Sequence, residues 1–398
     1  MSTIYDGKTG VAEPTTAVRT LGAALRREFR LDEGTAFLNH GSFGAPPGVV
    51  LEAAERWRSR LEANPDVFFR EVLPPALREA AAALARFVGA QAQDLVFVEN
   101  ATAGVNAVLR SLAFSPGDEI LASSHVYGAV RQAIRHVCER SGASFVEAAV
   151  PLPVPDDQTL FSVLAERMTQ RTRLLVLDHI ASPTGLVFPV ERLARLARAR
   201  GARVLVDGAH APGQVALDIP ALGVDWYVGN CHKWLFAPRG CGFLWAEAGA
   251  QRELHPLAIS HDYGRGFVPE FEWTGTRDPA AWLAVVDSIR FFEALGAERV
   301  RAHGHELALA AATRIARAWD TILDGPAALH GSMMAIRFPE RLCRGLAKDR
   351  EGARQLMSLL IAEQRVVVAV MPIGNALWAR ISASVYNTPS DYERLASL

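Results

Sequence analysis

Residues 202–246 read ARVLVDGAHAPGQVALDIPALGVDWYVGNCHKWLFAPRGCGFLWA. They contain three short apolar runs, ARVLVD (202–207), DWYVGN (225–230) and GFLWA (242–246), separated by segments rich in glycine, proline and small residues. Such runs are typical of strands that are buried on both faces, as in a mostly parallel sheet. Ligands of open α/β sheets bind beyond the carboxyl ends of the strands. Asp207 and Lys233, which end or follow two of these runs, are therefore the first candidates for chemistry.

The same pattern extends towards the amino terminus. Four more strand candidates are LVFV (95–98), EILAS (119–123), SFVEAAV (144–150) and RLLVLDH (173–179). Amphipathic segments lie between the candidates, and one of them, PVERLARLARARG (189–201), ends in a glycine that suits a helix C-cap. The alternation predicts an α/β fold with a mostly parallel seven-stranded sheet and helices on both faces.

The pattern changes after residue 285. Long helical segments are followed by a strand, a helix and two further strands, which predicts a smaller α+β domain. We expect three units: residues 1–35, an N-terminal segment that packs on the small domain; residues 36–285, the large domain; and residues 286–398, the small C-terminal domain.

Composition excludes several classes of protein. The 42 Lys+Arg and 43 Asp+Glu give a formal net charge of -1, which offers no electrostatic footprint for nucleic acid or an anionic membrane. The four cysteines lack metal-ligand spacing, so we expect no metal site and a location in the reducing cytoplasm. No apolar run is long enough to span a bilayer. We therefore expect neither a nucleic acid nor a membrane as a partner.

Lys233 differs from the other basic residues of the chain. Only three of the 42 are lysines, and Lys8 and Lys348 lie in polar surroundings, whereas Lys233 lies in VGNCHKWLF (228–236). A lysine in a dry pocket near another cation has a lowered pKa, which favours the free amine needed for a Schiff base. The alternative, a lysine whose amine reaches the surface, is less favoured because the chain has so few lysines.

Two other strand ends carry candidate groups. Asp207 ends a buried run and needs a cationic partner, which is either a protonated ring nitrogen or an arginine in a salt bridge. The segment ENATAG (99–104) opens a predicted helix, whose free N–H groups favour a phosphate. The same segment also fits a simple N-cap through Asn100 or Thr102. Both pairs of alternatives stay open from the residues alone.

Longer motifs of the chain resemble a known family. They are FLNHGSFGAPP (37–47), FVENATAGVNAVLRSL (97–112), LDHIASPTGLVFP (177–189), DGAHAPG (207–213), GVDWYVGNCHKWLFAPRGCGFLW (223–245), WTGTRDPAAWLAV (273–285) and ARISASVYNTPSDYERL (379–395). As a set they resemble the aminotransferase class V family of fold-type I pyridoxal 5′-phosphate (PLP) enzymes, and more closely its isopenicillin N epimerase-like branch. The resemblance runs from about residue 35 to the end and implies the PLP-dependent transferase fold.

The resemblance implies roles for individual residues. Lys233 would carry PLP as a Schiff base, Asp207 would pair with the pyridine nitrogen, and His125 would stack on the ring; these three are the predicted catalytic residues. Arg380 would bind the substrate carboxylate, a task suited to its planar guanidinium, and His40 would line the substrate entry. The remaining predicted cofactor-binding residues are Thr102, Ala103, Tyr127, Ser182, Ala209, His210, Asn230, His232 and Thr276.

The resemblance also implies an assembly and a class of reaction. Thr276 matches a position that reaches the phosphate of a partner subunit, which implies a homodimer with shared active sites. The substrate would be an amino acid that reacts at Cα or Cβ, and epimerisation, β-elimination such as C–S lysis, and transamination remain open. The segment VVVAVMPIGNALWAR (366–380) has no cysteine, so the persulfide chemistry of cysteine desulfurases is not expected. A non-catalytic PLP-binding regulator is the alternative of another class, and the joint presence of Lys233, Asp207 and Arg380 weighs against it.

Overall fold

A computed structural model of the protein describes residues 19–398. The strands are β1 (Ala36–Phe37), β2 (Leu95–Val98), β3 (Glu119–Ser123), β4 (Ser144–Ala148), β5 (Thr172–Asp178), β6 (Arg203–Gly208), β7 (Trp226–Asn230), β8 (Gly242–Ala246), β9 (Met333–Arg337), β10 (Val366–Val367), β11 (Ala369–Ile373) and β12 (Ala376–Ser382). The α-helices are α1 (Ala23–Arg26), α2 (His40–Phe43), α3 (Gly48–Ala63), α4 (Pro65–Val67), α5 (Leu73–Phe87), α6 (Ala101–Ser111), α7 (Gly128–Ser141), α8 (Asp157–Arg167), α9 (Val190–Ala199), α10 (Phe267–Glu272), α11 (Ala280–Leu283), α12 (Val285–Leu295), α13 (Ala297–Trp319), α14 (Arg350–Gln364) and α15 (Glu393–Ala396).

Seven strands form the large sheet, in the order β2-β8-β7-β6-β5-β3-β4. The pairs from β7 to β4 are parallel, and β8 runs antiparallel to both β2 and β7. Each of the seven runs marked in the sequence is a strand of this sheet, so the predicted mostly parallel seven-stranded sheet is confirmed. The carboxyl ends of the parallel strands β5, β6 and β7 consequently meet at one edge.

Helices cover both faces of the large sheet. Successive strand residues point to opposite faces. In β2, Val96 and Val98 pack in one apolar cluster with residues of α6 and α7, while Leu95 and Phe97 pack in another with residues of α5 and α9. Helix α9 has the pattern that this packing requires, because its buried residues recur at the three- and four-residue spacing of one helix face: Val190, Leu193, Ala194 and Ala197.

The C-terminal region forms a second, smaller layer. Its sheet is antiparallel, in the order β11-β12-β9, and it shares an apolar cluster with helices α13 and α14. The helical stretch after residue 285 consists of two helices, since Gly296, at φ 83°, separates α12 from α13. A left-handed backbone favours glycine and ends a helix. The predicted α+β character of this region is confirmed.

The N-terminal segment contacts more than one part of the molecule. Strand β1 pairs with β10 in parallel, which ties residue 36 to the C-terminal region. Earlier in the segment, the Phe29 ring lies 4.8 Å from that of Tyr386 and 5.9 Å from that of Phe236. Residues 1–18 of the predicted segment lie outside the described residues, and the boundaries of the three units stay predictions.

Residues 19–398 lack two features that would bear on function. No helix in this range is long and apolar enough to cross a membrane. The same residues contain no group of three or more histidine, cysteine, aspartate or glutamate side chains that could hold a metal ion.

Candidate functional site

A cleft of about 370 Å³ opens at the carboxyl ends of β5, β6 and β7. Its position is the one that parallel sheets favour for ligands. The residues that line it are Ser42, Phe43, Asn100, Ala101, Thr102, Tyr127, Asp178, Ile180, Ser182, Asp207, Ala209, His210, Asn230, His232 and Lys233. Nine of the predicted site residues are in this set: Thr102, Tyr127, Ser182, Asp207, Ala209, His210, Asn230, His232 and Lys233.

Lys233 lies in the turn that follows β7, and its side chain is buried in the cleft wall. Its Nζ is 3.0 Å from His210 Nε2. Burial, and then the charge of Arg380, lower the pKa of Lys233 from 10.5 to about 7, while Asp207 acts in the opposite direction. A substantial fraction of the amine is therefore unprotonated, and so nucleophilic, near neutral pH.

Asp207 is the penultimate residue of β6 and lies beside Asp178, the last residue of β5 and its register partner in the parallel ladder. Both carboxyl groups are buried, and one oxygen of Asp207 accepts a hydrogen bond from the Ala209 N–H at 3.0 Å. Burial raises the pKa of both carboxyl groups, and the charge of Asp207 raises that of Asp178 further. Asp178 Oδ2 has no hydrogen-bond partner among the described residues. This pair of adjacent acids favours a single shared negative charge, or a cation bound between them.

The amino-terminal end of α6 forms another wall. Asn230 Oδ1 accepts the Ala101 N–H at 2.8 Å, and Asn100 Oδ1 accepts the Ala103 N–H at 3.0 Å. The N-cap that the sequence allowed at this position is therefore Asn100. Its side chain occupies the Ala103 N–H, which is then not free for a phosphate. Ala103 itself lines a neighbouring cavity of about 230 Å³ instead of the main cleft. The Thr102 side chain lines the cleft at the start of this helix, where the dipole favours an anion.

Two histidines flank these groups. His232 Nδ1 donates to the Cys241 carbonyl at 2.9 Å, and burial lowers the pKa of His232 to about 4. His125, predicted to stack on the cofactor ring, is buried and is not in the cleft lining. Its Nδ1 lies 3.5 Å from Thr184 Oγ1, and its Nε2 is unpartnered among the described residues. Burial lowers the pKa of His125 to about 4. Both rings are therefore neutral at pH 7.

Arg380, on β12, reaches the cleft wall from the smaller sheet. Its guanidinium donates to the Ser182 carbonyl, to Asn39 Oδ1 at 3.1 Å and to Ser42 Oγ at 2.9 Å. The side chain is 1% exposed, and no carboxylate of residues 19–398 lies within salt-bridge distance of it. Burial lowers the pKa of Arg380 to about 10. A buried cation without an acidic partner is costly, and an anionic ligand would stabilise it.

Two further predicted site residues, His40 and Thr276, also lie outside the cleft lining. His40 is fully buried, with Nδ1 2.8 Å from the Tyr386 hydroxyl and Nε2 3.0 Å from the Lys233 carbonyl. Its ring therefore contacts the lysine backbone and does not line the substrate entry. Thr276 is exposed and does not line the cleft.

Sequence reasoning missed Asp178, Asn39 and Ser42. Asp178 is the penultimate residue of the predicted run RLLVLDH, and an acid near the end of such a run was a signal of the same kind as Asp207. Asn39 and Ser42 contact Arg380 across 341 and 338 residues of chain, and no local pattern reports such a contact.

A sequence model of the family described as Aminotransferase class-V matches residues 46–395. Among curated relatives, a putative L-cysteine desulfhydrase of Oryza sativa subsp. japonica is 35% identical, over 94% of this chain and 84% of that protein. The isopenicillin N epimerase of Streptomyces clavuligerus is also 35% identical, over 93% of this chain and 96% of its own length.

Solved structures show the same fold. The cystine C–S lyase C-DES, in complex with its reaction product cysteine persulfide, aligns with a TM-score of 0.77 at 21% identity, over 92% of this chain and 98% of that one. The cysteine desulfurase CsdA of Escherichia coli aligns with a TM-score of 0.76 at 22% identity, over 94% and 96%. The predicted PLP-dependent transferase fold is confirmed. Because the family model spans most of the chain, and relatives at 35% identity cover nearly all of it, the chain belongs to the aminotransferase class V family of pyridoxal-phosphate-dependent enzymes.

Proposed function

We propose that the protein breaks a bond at Cα or Cβ of an amino-acid substrate, with PLP attached to Lys233 as a Schiff base. The observation that carries the proposal is a buried lysine with a pKa of about 7 in the same cleft as Asp207. The isopenicillin N epimerase relative favours epimerisation, and the cysteine desulfhydrase relative favours β-elimination from a sulfur-bearing amino acid. A transaminase outcome remains a further alternative.

The residues of the cleft fit the cofactor. A volume of about 370 Å³ lies in the range of small-molecule sites. The buried acid Asp207 suits a protonated ring nitrogen, and the neutral ring of His125 suits stacking on an aromatic cofactor. When bound, PLP supplies an electron sink for the pair of electrons left at Cα.

The phosphate would lie at the start of α6. Thr102, Asn230 and His232 line the cleft there, and we propose them as the main phosphate ligands. Ala103 contributes less than the sequence implied, because its N–H is already bonded to Asn100. Tyr127, Ser182, Ala209 and His210 would surround the ring.

Three side chains of this chain would then act on the substrate. Arg380, which contacts the cleft residues Ser42 and Ser182, would bind the substrate carboxylate. This contact would fix the orientation of Cα. Lys233, once its amine is free, would remove the proton from Cα and return it, since a pKa near 7 suits a general base. Asp207 would keep the proton on the ring nitrogen during that step.

We further propose a homodimer in the cytoplasm. Thr276 is exposed, as a residue that reaches a partner's phosphate must be. Phe43, Leu257, Ile259 and Tyr263 are also exposed, at 67, 47, 58 and 61%, and Phe43 lines the cleft, so a second subunit would cover apolar surface close to the site. All four cysteines are free and buried, which agrees with a reducing compartment.

The test incubates the purified holoenzyme with single amino acids in deuterium oxide and analyses the products by mass and chirality. Epimerisation gives the inverted amino acid with deuterium at Cα, and elimination from cysteine gives sulfide, ammonia and pyruvate. Borohydride should fix the cofactor to Lys233, and Lys233→Ala should abolish both fixation and turnover. Trapping at another residue, or the absence of any Cα exchange across all the amino acids, would overturn the proposal. Lys348→Ala is the matched control, since the Lys348 amine pairs with Glu340 and lies outside the cleft lining.

A further inference from the structure

We propose that Trp234 is a positioning residue that holds His210 in the tautomer protonated on Nε2, so that His210 presents a permanent hydrogen-bond donor to Lys233. The role of Lys233 rests on the proposed function, whereas the tautomer of His210 does not depend on it. Trp234 directly follows Lys233 in the chain, and no other part of the mechanism uses it.

The contacts of the His210 ring define the tautomer. The Trp234 indole N–H donates to His210 Nδ1 at 3.3 Å. On the other side of the ring, Nε2 lies 3.0 Å from Lys233 Nζ and 3.3 Å from Ser182 Oγ. An indole nitrogen is only ever a donor, so Nδ1 must be the acceptor, and a neutral imidazole then carries its single proton on Nε2.

The protonation of Lys233 follows from this tautomer. An ammonium group has donors but no acceptor. A protonated Lys233 would therefore place an N–H donor against the Nε2–H donor of His210, which is unfavourable. A neutral amine accepts that hydrogen bond through its lone pair. The neutral amine is also favoured by burial and by the charge of Arg380, which lower the pKa of Lys233 to about 7. The titratable or charged side chains that act on His210 are Lys233, Arg380 and His232, and together with burial they lower its pKa well below the usual value.

The surroundings keep both rings in place. Trp234 is 4% exposed and packs with Ile180 and Met333, and its ring lies 5.0 Å from that of His40. The backbone of His210 is held as well, because its carbonyl accepts the Gln214 side-chain N–H at 2.8 Å. Rotation of the imidazole would therefore break several buried contacts at once.

This arrangement excludes one role for His210 and assigns another. A ring whose Nδ1 already accepts a hydrogen bond and whose Nε2 carries a proton cannot take a proton from the substrate. Any group that binds between His210 and Ser182 must instead accept a hydrogen bond. Lys233 is then left as the base at Cα, with His210 as a fixed donor beside it.

The experiment measures the ¹⁵N resonances of the His210 ring in the holoenzyme, assigned by their loss in His210→Gln. We expect wild type to show a protonated Nε2 and an unprotonated, hydrogen-bonded Nδ1 between pH 6 and 8. Trp234→Phe keeps the apolar ring but removes the indole N–H, and should give a mixture of the two tautomers. Trp226→Phe is the matched control, since Trp226 begins β7, at the opposite end of that strand from Lys233, and its indole donates to the Ala250 carbonyl. A wild-type ring protonated on Nδ1, or an unchanged tautomer in Trp234→Phe, would overturn the proposal.

A kinetic cycle provides the second readout. Trp234→Phe should lower turnover about fivefold, which corresponds to the loss of one neutral hydrogen bond. In a His210→Gln background the same change should have less than about a twofold effect, because residues that act through each other are not additive. Equal effects in both backgrounds would assign Trp234 a purely structural role. If the enzyme turns over no amino acid, the proposed function fails, and the wild-type ¹⁵N spectrum still tests the tautomer.

Discussion

Arg380 is a charged side chain that lies in the protein interior without a counter-charge among residues 19–398. Such a cation needs an explanation. It is held by carbonyl, amide and hydroxyl oxygens only, and all of these are neutral acceptors. The guanidinium Nε has no partner among residues 19–398. An α-carboxylate of a bound substrate would supply the missing charge, whereas the corresponding amine would not.

We therefore expect Arg380→Ala to weaken the binding of an amino acid far more than that of the matching amine. Loss of a buried, hydrogen-bonded charge pair costs about 2–5 kcal/mol, which corresponds to about 30-fold or more in Kd. Arg380→Lys keeps the charge but loses the planar fork, so its effect should be intermediate. Binding is measured from the change in cofactor absorbance. Equal losses for acid and amine would remove Arg380 from this role.

At the amino-terminal end of α6, one residue stabilises the helix and a neighbouring residue is available to a ligand. Asn100 caps the helix, while the Thr102 side chain faces the cleft. Thr102→Val should weaken phosphate-dependent cofactor binding about tenfold, since hydrogen bonds to charged groups contribute about 1.5–3 kcal/mol, and should leave the stability of the cofactor-free protein nearly unchanged.

Asn100→Ala is the contrasting variant for this helix. It should lower the free energy of unfolding by about 1 kcal/mol, the usual effect of losing an N-cap. Cofactor affinity comes from titration of the cofactor-free protein, and stability from denaturant unfolding. Full affinity in Thr102→Val would contradict the phosphate assignment, and Thr102→Ser should restore binding.

Elements of the large sheet were predictable because each strand is a short apolar run between turn residues, as in β6 and β7. The contacts between elements were not. Asp178 and Asp207 are neighbours only because of the register in which β5 and β6 pair, and this register could not be predicted from the two runs. The prediction that His40 lines the entry came from a motif, and a motif does not state which way a side chain points; the ring packs between Tyr386 and the Lys233 backbone.

Buried histidines make the whole molecule sensitive to acid. Burial lowers the pKa of both His40 and His179, which lie outside the cleft lining, from 6.5 to about 4. The unfolded chain therefore takes up these protons first as the pH falls. The stability that depends on the neutral rings is fully present above pH 6.5 and is lost between pH 6.5 and 4. Asp178 and Asp207, whose pKa values burial raises, act in the opposite direction.

We expect the Tm of the holoenzyme to fall as the pH is lowered from 6.5 to 4 and the fall to be smaller in His179→Asn. One buried ring with this shift accounts for about 3 kcal/mol over the window, from about 1.4 kcal/mol for each pKa unit. His136→Asn, on the exposed side of α7, is the matched control and should keep the wild-type slope. Scanning calorimetry at several pH values measures all three, and parallel curves for wild type and His179→Asn would contradict the assignment.

The pairing of β1 with β10 has a consequence for biosynthesis. Asn39 and Ser42 follow β1, and their partner Arg380 lies on β12, 341 and 338 residues later in the chain. The cleft residues assigned to the cofactor fall between residues 102 and 233, so the ribosome delivers them well before Arg380. The cofactor groups of the cleft are therefore synthesised before the residue that we assign to the substrate carboxylate, and catalytic competence depends on the later segment.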